Sequence, residues 1–160
     1  MAKIQFKGLD EYVSRLNKLN GDTDRLVKRT VYVGADVVAD TIKQAINGLP
    51  TDNSSYKKDG IRTGPTSIQK AGLVASFGIT PMRKELTETN VKLGFDGYNR
   101  VVTKRWSQGQ PNAMIARSIE SGTSWMVKNP FVSKATRSAK KIAEEQMKKE
   151  FEEEIEKLMK

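Results

Sequence analysis

The chain has 160 residues, 37% hydrophobic and 29% charged, with a formal net charge of +9. It holds no Cys and no His, which excludes disulfides, thiolate catalysis and Cys-based zinc sites and removes the usual general base. The length favours one domain, and no run approaches the ~18 apolar residues of a membrane span.

From the N-terminus, residues 3–7 (KIQFK) alternate polar and apolar, which predicts a short half-buried strand. The first twelve residues lack the apolar segment and cleavage site of a secretory signal, so none is expected. Asp10 is placed to cap a short helix from Glu11 to Leu19, which Asn20-Gly21 should stop. A second helix follows, with Val27, Val31, Gly34, Val38, Ile42, Ala45 and Leu49 repeating at threes and fours. Gly48 and Pro50 mark its end. Its many β-branched residues are poor helix formers, so packing must hold it. Gly34 either admits a close neighbour or faces solvent.

Residues 50–72 change character, being rich in Gly, Ser, Thr, Asp and Pro, and read as one long loop. Such loops are functional or order only against a partner. From Leu73 to Tyr98 the pattern turns to strands. LVASFGIT and TNVKLGF flank the charged RKELTE, which predicts an antiparallel hairpin. RVVTKRW is a candidate third strand, SQGQPN a second loop, and AMIARSIES a short helix or turn ending at Gly122.

The last helix opens with Asn129 as N-cap and Pro130 at the first helical position. Phe131, Ala135, Ala139, Ile142, Phe151, Ile155 and Leu158 recur near helical spacing, and Glu144–Lys148, Glu145–Lys149 and Glu153–Lys157 are i, i+4 pairs. The charge is uneven: residues 1–143 carry 24 Lys/Arg against 12 Asp/Glu, and residues 144–160 carry 4 against 7. The expected organisation is a body over 1–143 with a long loop at about 50–72, then a charged helix end at 144–160 that projects. The acidic end of one copy meeting the basic body of the next is one use of that split. The expected class is α+β: a small antiparallel sheet packed against a long helix, with a long C-terminal helix.

The chemistry-bearing patterns are sparse. There is no phosphate-cradling G-x-x-x-x-G-K-[ST], and no carboxylate is followed two residues later by Lys. Asp36 and Asp40 lie one helical turn apart without further ligands and read as a solvated face. No enzymatic activity, metal or cofactor is expected. Two basic, aromatic groups stand out: Lys57, Lys58, Arg62 and Lys70 near Tyr56, and Arg100, Lys104 and Arg105 beside Trp106. Such loops hold phosphates or partner proteins, though no known nucleic-acid motif frames them and a plain solvated basic surface has the same composition.

The stretch IESGTSWMVKNPFVSKA joins the last two helical segments. Its Glu120, Gly-Thr at 122–123 and Pro130-Phe131, preceded by KIQFKGLDEYVSRLNKL, VGADVVADTIKQAI and Arg62-Thr63-Gly64, resemble a family of small neck proteins of tailed bacteriophages. In that family a Thr-Gly pair is followed closely by Leu-x-x-Ser; here Leu73-Val74-Ala75-Ser76 fits, after an insertion. The long charged C-terminus also departs from the pattern.

The resemblance implies a structural virion protein acting in head–tail joining, as tail completion protein, tail terminator or collar. It implies a ring of six or twelve copies touching neck, connector or tail-tube proteins, no membrane, and at most non-specific contact with packaged DNA. Glu120, Gly122, Thr123, Trp125, Pro130 and Phe131 then form a structural junction or subunit interface, Trp125 facing its own core or a neighbour. Two other readings stay open: a monomeric DNA-binding accessory protein, and a scaffold whose charged helix forms a coiled coil.

Overall fold

The computed structural model describes residues 9–55, 60–84 and 89–159; the expected strand at 3–7, Lys57 and Lys58 lie outside them. Among the described residues are four helices and a small antiparallel hairpin, an α+β arrangement. Helix α1 spans Leu9–Asn47, α2 Ser67–Ser76, α3 Asn112–Ser121 and α4 Phe131–Met159. Strand β1 is Phe77–Ile79, β2 Arg83–Lys84, β3 Thr89–Asn90 and β4 Leu93–Phe95. None of these helices is long and apolar enough to cross a membrane.

The expected break at Asn20-Gly21 does not occur, and α1 runs through it for 39 residues, about 58 Å. A glycine inside a helix costs about 1 kcal/mol relative to alanine, which is too little to stop a helix anchored by packing further along. That packing is with α4, which lies antiparallel to it. Leu49 lies near Phe131 at one end, Met147 sits against Gly34, and Arg29 reaches Glu150 and Glu154 at the other. The buried line on α1 is Leu26, Thr30, Ala35, Ala39, Ile42 and Ile46. Of the expected stripe Gly34, Ile42 and Leu49 are buried, while Val27, Val31, Val38 and Ala45 are only half-buried and their neighbours Leu26, Thr30, Ala39 and Ile46 take the inner positions. Small residues explain the offset: Ala35 and Ala39 on α1, with Ala135, Ala139 and Ala143 on α4, let the two helices approach closely.

The C-terminal half of α4 therefore does not project by itself. Its acidic end is engaged within its own chain, Glu150 Oε1 lying 2.5 Å and Glu154 Oε1 3.3 Å from Arg29. The expected i, i+4 pairs form in the opposite sense, Lys140–Glu144, Lys141–Glu145, Lys148–Glu152 and Lys149–Glu153. All are exposed, and each stabilises by only about 0.3–0.5 kcal/mol.

The hairpin is as expected in sense but shorter. Strand β1 pairs antiparallel with β4 in the register Phe77↔Phe95, Gly78↔Gly94, Ile79↔Leu93, and β2 with β3 beyond it. Leu73–Ser76, expected in a strand, instead closes α2. That helix has a capping box: Thr66 Oγ1 accepts from the Gln69 N–H, and Gln69 Oε1 accepts from the Thr66 N–H. RVVTKRW forms no strand and is part of a loop.

The core gathers where all elements meet. Ile42, Ile46 and Leu49 of α1 and its end pack with Leu73, Phe77, Ile115, Ile119, Met126 and Phe131. Phe95 joins sheet to helix, 5.1 Å from the Phe77 ring and 6.3 Å, edge-on, from Phe131.

Candidate interaction surface

The junction between α3 and α4 is built from the residues the sequence singled out, in a different division of labour. Pro111 and Asn112 start α3 and Ser121 ends it. Gly122 then adopts φ +74°, where a side chain is strained, and a Cβ there would also press on Lys128 at 2.9 Å. Thr123 and Met126 exchange N–H···O bonds across a tight turn, burying Met126. The first turn of α4 is capped by Glu120 rather than Asn129. The Glu120 carboxylate accepts from the Val132 N–H at 2.9 Å, the Ser133 N–H at 3.0 Å and the Ser133 hydroxyl. A carboxylate at a helix N-terminus also complements the helix dipole. Pro130 O accepts the first intrahelical bond from Lys134, and Phe131 is buried in the core.

Trp125 is half-buried and packs against its own core. Its carbonyl accepts from the Arg62 N–H at 3.1 Å, and the Val127 N–H donates back to Arg62 O at 2.9 Å. The segment preceding α2 is thereby stitched to the junction, a contact between residues 63 positions apart that no local pattern discloses.

That segment is ordered internally as well. The Asp52 carboxylate accepts from the Ser54 N–H at 2.9 Å and the Thr63 N–H at 2.8 Å. Hydrogen bonds from Ser54 and then Thr63 hold its carboxyl well below the usual carboxylate range. Gly64 is buried directly against the Pro50 carbonyl, where a Cβ would collide with it. The Arg62 guanidinium donates from Nε to Ser54 O at 2.8 Å. Lys70 Nζ donates to Asn47 O and Leu49 O, each at 2.8 Å, and so closes the C-terminal end of α1. Arg62 Nε and Lys70 Nζ thus donate to the protein's own carbonyls.

The second basic group has the opposite character. Arg100, Lys104 and Arg105 are exposed, and Trp106 is half-buried with the Arg105 guanidinium 5.6 Å from its ring centre. Sequence reasoning missed what holds this loop. Gln69, Asn99 and Asn112 are each only 3% exposed. Asn99 Nδ2 donates to Ile68 O at 3.2 Å and Gln69 O at 3.3 Å, Asn112 Nδ2 to Asp96 O at 2.9 Å, and Gln69 Nε2 to Gln110 Oε1 at 3.0 Å. Buried amides satisfied in this way fix a loop against a helix.

Between α2 and this loop runs an open groove of about 1060 Å³, lined by Ile68, Ala71, Ala75, Asp96, Tyr98 and Arg100 among others. Apolar side chains are unusually uncovered around it: Ile68 is 55%, Val74 47%, Tyr98 64% and Val102 64% exposed. Ile68 and Tyr98 line this groove and Val74 an adjoining one, and uncovered apolar side chains beside charged ones mark a candidate protein contact. Asp36 is exposed and Asp40 pairs with Lys43 at 3.6 Å. No group of three or more acidic residues that could hold a metal ion occurs among the described residues. No protein-family model matches the chain, and no curated protein or solved structure matches it.

Proposed function

We propose that this chain is a non-enzymatic structural protein of a tailed-phage virion, one copy of a closed ring in the neck. There it joins or completes the tail at the head–tail interface, as tail completion protein, terminator or collar. The observation that carries the proposal is the braced corner formed by the stretch on which the family resemblance rests. Glu120 caps α4, Gly122 turns the chain, Phe131 seats in the core and Arg62 ties the turn to the segment before α2. A ring of identical copies closes only if each copy repeats the same rotation, so its subunit needs such fixed angles between elements.

A ring contact is also heterologous, with two different surfaces on each copy. The α2 surface with Ile68 and Val74 supplies one. The long α1–α4 pair, with Ile142 and Phe151 exposed, supplies another. Six or twelve copies follow from the resemblance, as do connector or tail-tube neighbours and a place in the virion after assembly in the host cytoplasm.

The test is an Ile68→Glu, Val74→Glu double variant, compared with the unaltered chain by sedimentation velocity. Both positions are exposed, so the far-UV spectrum should not change while the ring-sized species disappears. A variant that assembles as well as the unaltered chain would reject the α2 face as a ring contact.

A further inference from the structure

The loop from Gly97 to Gln110 combines a rigid frame with an uncommitted rim. The Asn99 N–H donates to Gln110 O at 2.7 Å, and the Gln110 N–H to Val101 O at 3.0 Å. Thr103 and Trp106 exchange N–H···O bonds of 3.1 and 3.0 Å. These bonds close residues 99–110 into a braced finger with Lys104 and Arg105 between the paired Thr103 and Trp106. Its base is held by the Asn99 and Asn112 amides.

Among the described residues Arg100, Lys104 and Arg105 make no ion pair, in contrast to Arg29 and the lysines of α4. Nor does the neighbouring sequence offer carboxylates. From Gly97 to Ile119 there are four cations, Arg100, Lys104, Arg105 and Arg117, and no Asp or Glu. Asp96 borders the stretch, with its carboxylate accepting from the Gly97 N–H at 2.7 Å.

We infer that this finger is a contact site for the phosphate backbone of duplex DNA, read without regard to sequence. Three exposed cations on one braced loop suit a polyanion, because each neutralised phosphate releases condensed counterions. A mixed-charge protein surface is the weaker match, since it would leave some of the three cations facing like charge or none. Single strands are bound on successive stacking platforms. Here Arg105 lies over Trp106, leaving Tyr98, 64% exposed, as the open aromatic beside the finger. The assignment stands whether or not the chain forms a ring.

The experiment is fluorescence anisotropy of the full chain with a labelled mixed-sequence DNA duplex of about 20 base pairs, titrated from about 50 to 200 mM salt. Binding should weaken linearly on a log–log plot as salt rises. The Arg100→Ala, Lys104→Ala, Arg105→Ala triple variant should lower the magnitude of that slope by about 3, with its unfolding midpoint unchanged. A Lys148→Ala, Lys149→Ala variant, altered on the ion-paired face of α4, should keep the original slope.

Absent binding at the lowest salt, or a wild-type slope in the triple variant, overturns the assignment. So does polyglutamate that displaces the duplex as well as unlabelled DNA does, which would point to an acidic protein partner. A single strand bound more tightly than the duplex, with Tyr98→Ala abolishing the difference, would overturn the duplex assignment. A chain that forms rings but ignores the duplex overturns this inference and leaves the neck proposal intact.

Discussion

Two basic loops flank the short helix α2, and in the sequence they look alike: polar, glycine-containing and interrupted by Lys, Arg and an aromatic. In the folded chain they behave oppositely. The described part of the loop before α2 and α2 itself use their cations internally, Arg62 on Ser54 O and Lys70, within α2, on the carbonyls that end α1. The loop after the hairpin leaves Arg100, Lys104 and Arg105 exposed and is held by neutral buried amides. Charge content alone therefore does not identify a contact surface. What distinguishes the loops is whether backbone acceptors lie within reach of each cation. Helix C-termini and irregular loops supply such acceptors, whereas the finger pairs its own carbonyls.

The comparison is broken most severely by removing the frame of the second loop. Asn99→Leu should destabilise the chain by about 2–3 kcal/mol, since it strips buried carbonyls of their donor; urea unfolding would read this. A change below about 0.5 kcal/mol would show that the amides do not hold the finger.

The junction comes next. Glu120→Gln weakens a charge-assisted cap and should lower stability by about 1 kcal/mol, the scale of a lost N-cap. The loss should be seen first as faster hydrogen exchange at the start of α4.

The two groups of cations are separated by a paired substitution. Lys70→Ala should lower the unfolding free energy by about 1 kcal/mol, whereas Lys104→Ala should fall within about 0.5 kcal/mol of the parent. Equal effects would erase the distinction between them.

The smallest effect is on pH. Asp52 has a folded pKa below its unfolded value of about 3.9. Its contribution is therefore complete above the unfolded pKa and is lost as pH falls through the folded value. Protection of the Thr63 amide against exchange, relative to its intrinsic rate, should fall on acidification below about pH 4, while protection at Asn99 and Gln110, in a loop with no carboxylate, should not follow it. In Asp52→Asn the acid-dependent change at Thr63 should vanish.

Much of this fold was legible because its signals are local. The last helix, the Asn112–Ser121 helix, its stop at Gly122 and the hairpin all follow from periodicity and turn residues. The errors share a cause as well. Continuation of α1 through Gly21, and Glu120 in place of Asn129 as the cap, are decided by tertiary contacts that outweigh terms of about 1 kcal/mol. The helical course of Leu73–Ser76 was readable, since Thr66 and Gln69 form a capping-box spacing. The apolar run LVASFGIT concealed it, because short apolar runs fit helix and strand equally. For the candidate surface, the cations of the finger were legible and its buried amides were not. Asn and Gln look alike in a sequence whether they are solvated or satisfied inside.

The central claim is assembly, and native mass spectrometry of the purified full chain tests it most directly. The account predicts a discrete closed species at about six or twelve times the 17.9 kDa chain mass, which dissociates in the Ile68→Glu, Val74→Glu variant. A chain that stays monomeric at every concentration and salt, or forms an open-ended series of masses, would contradict it.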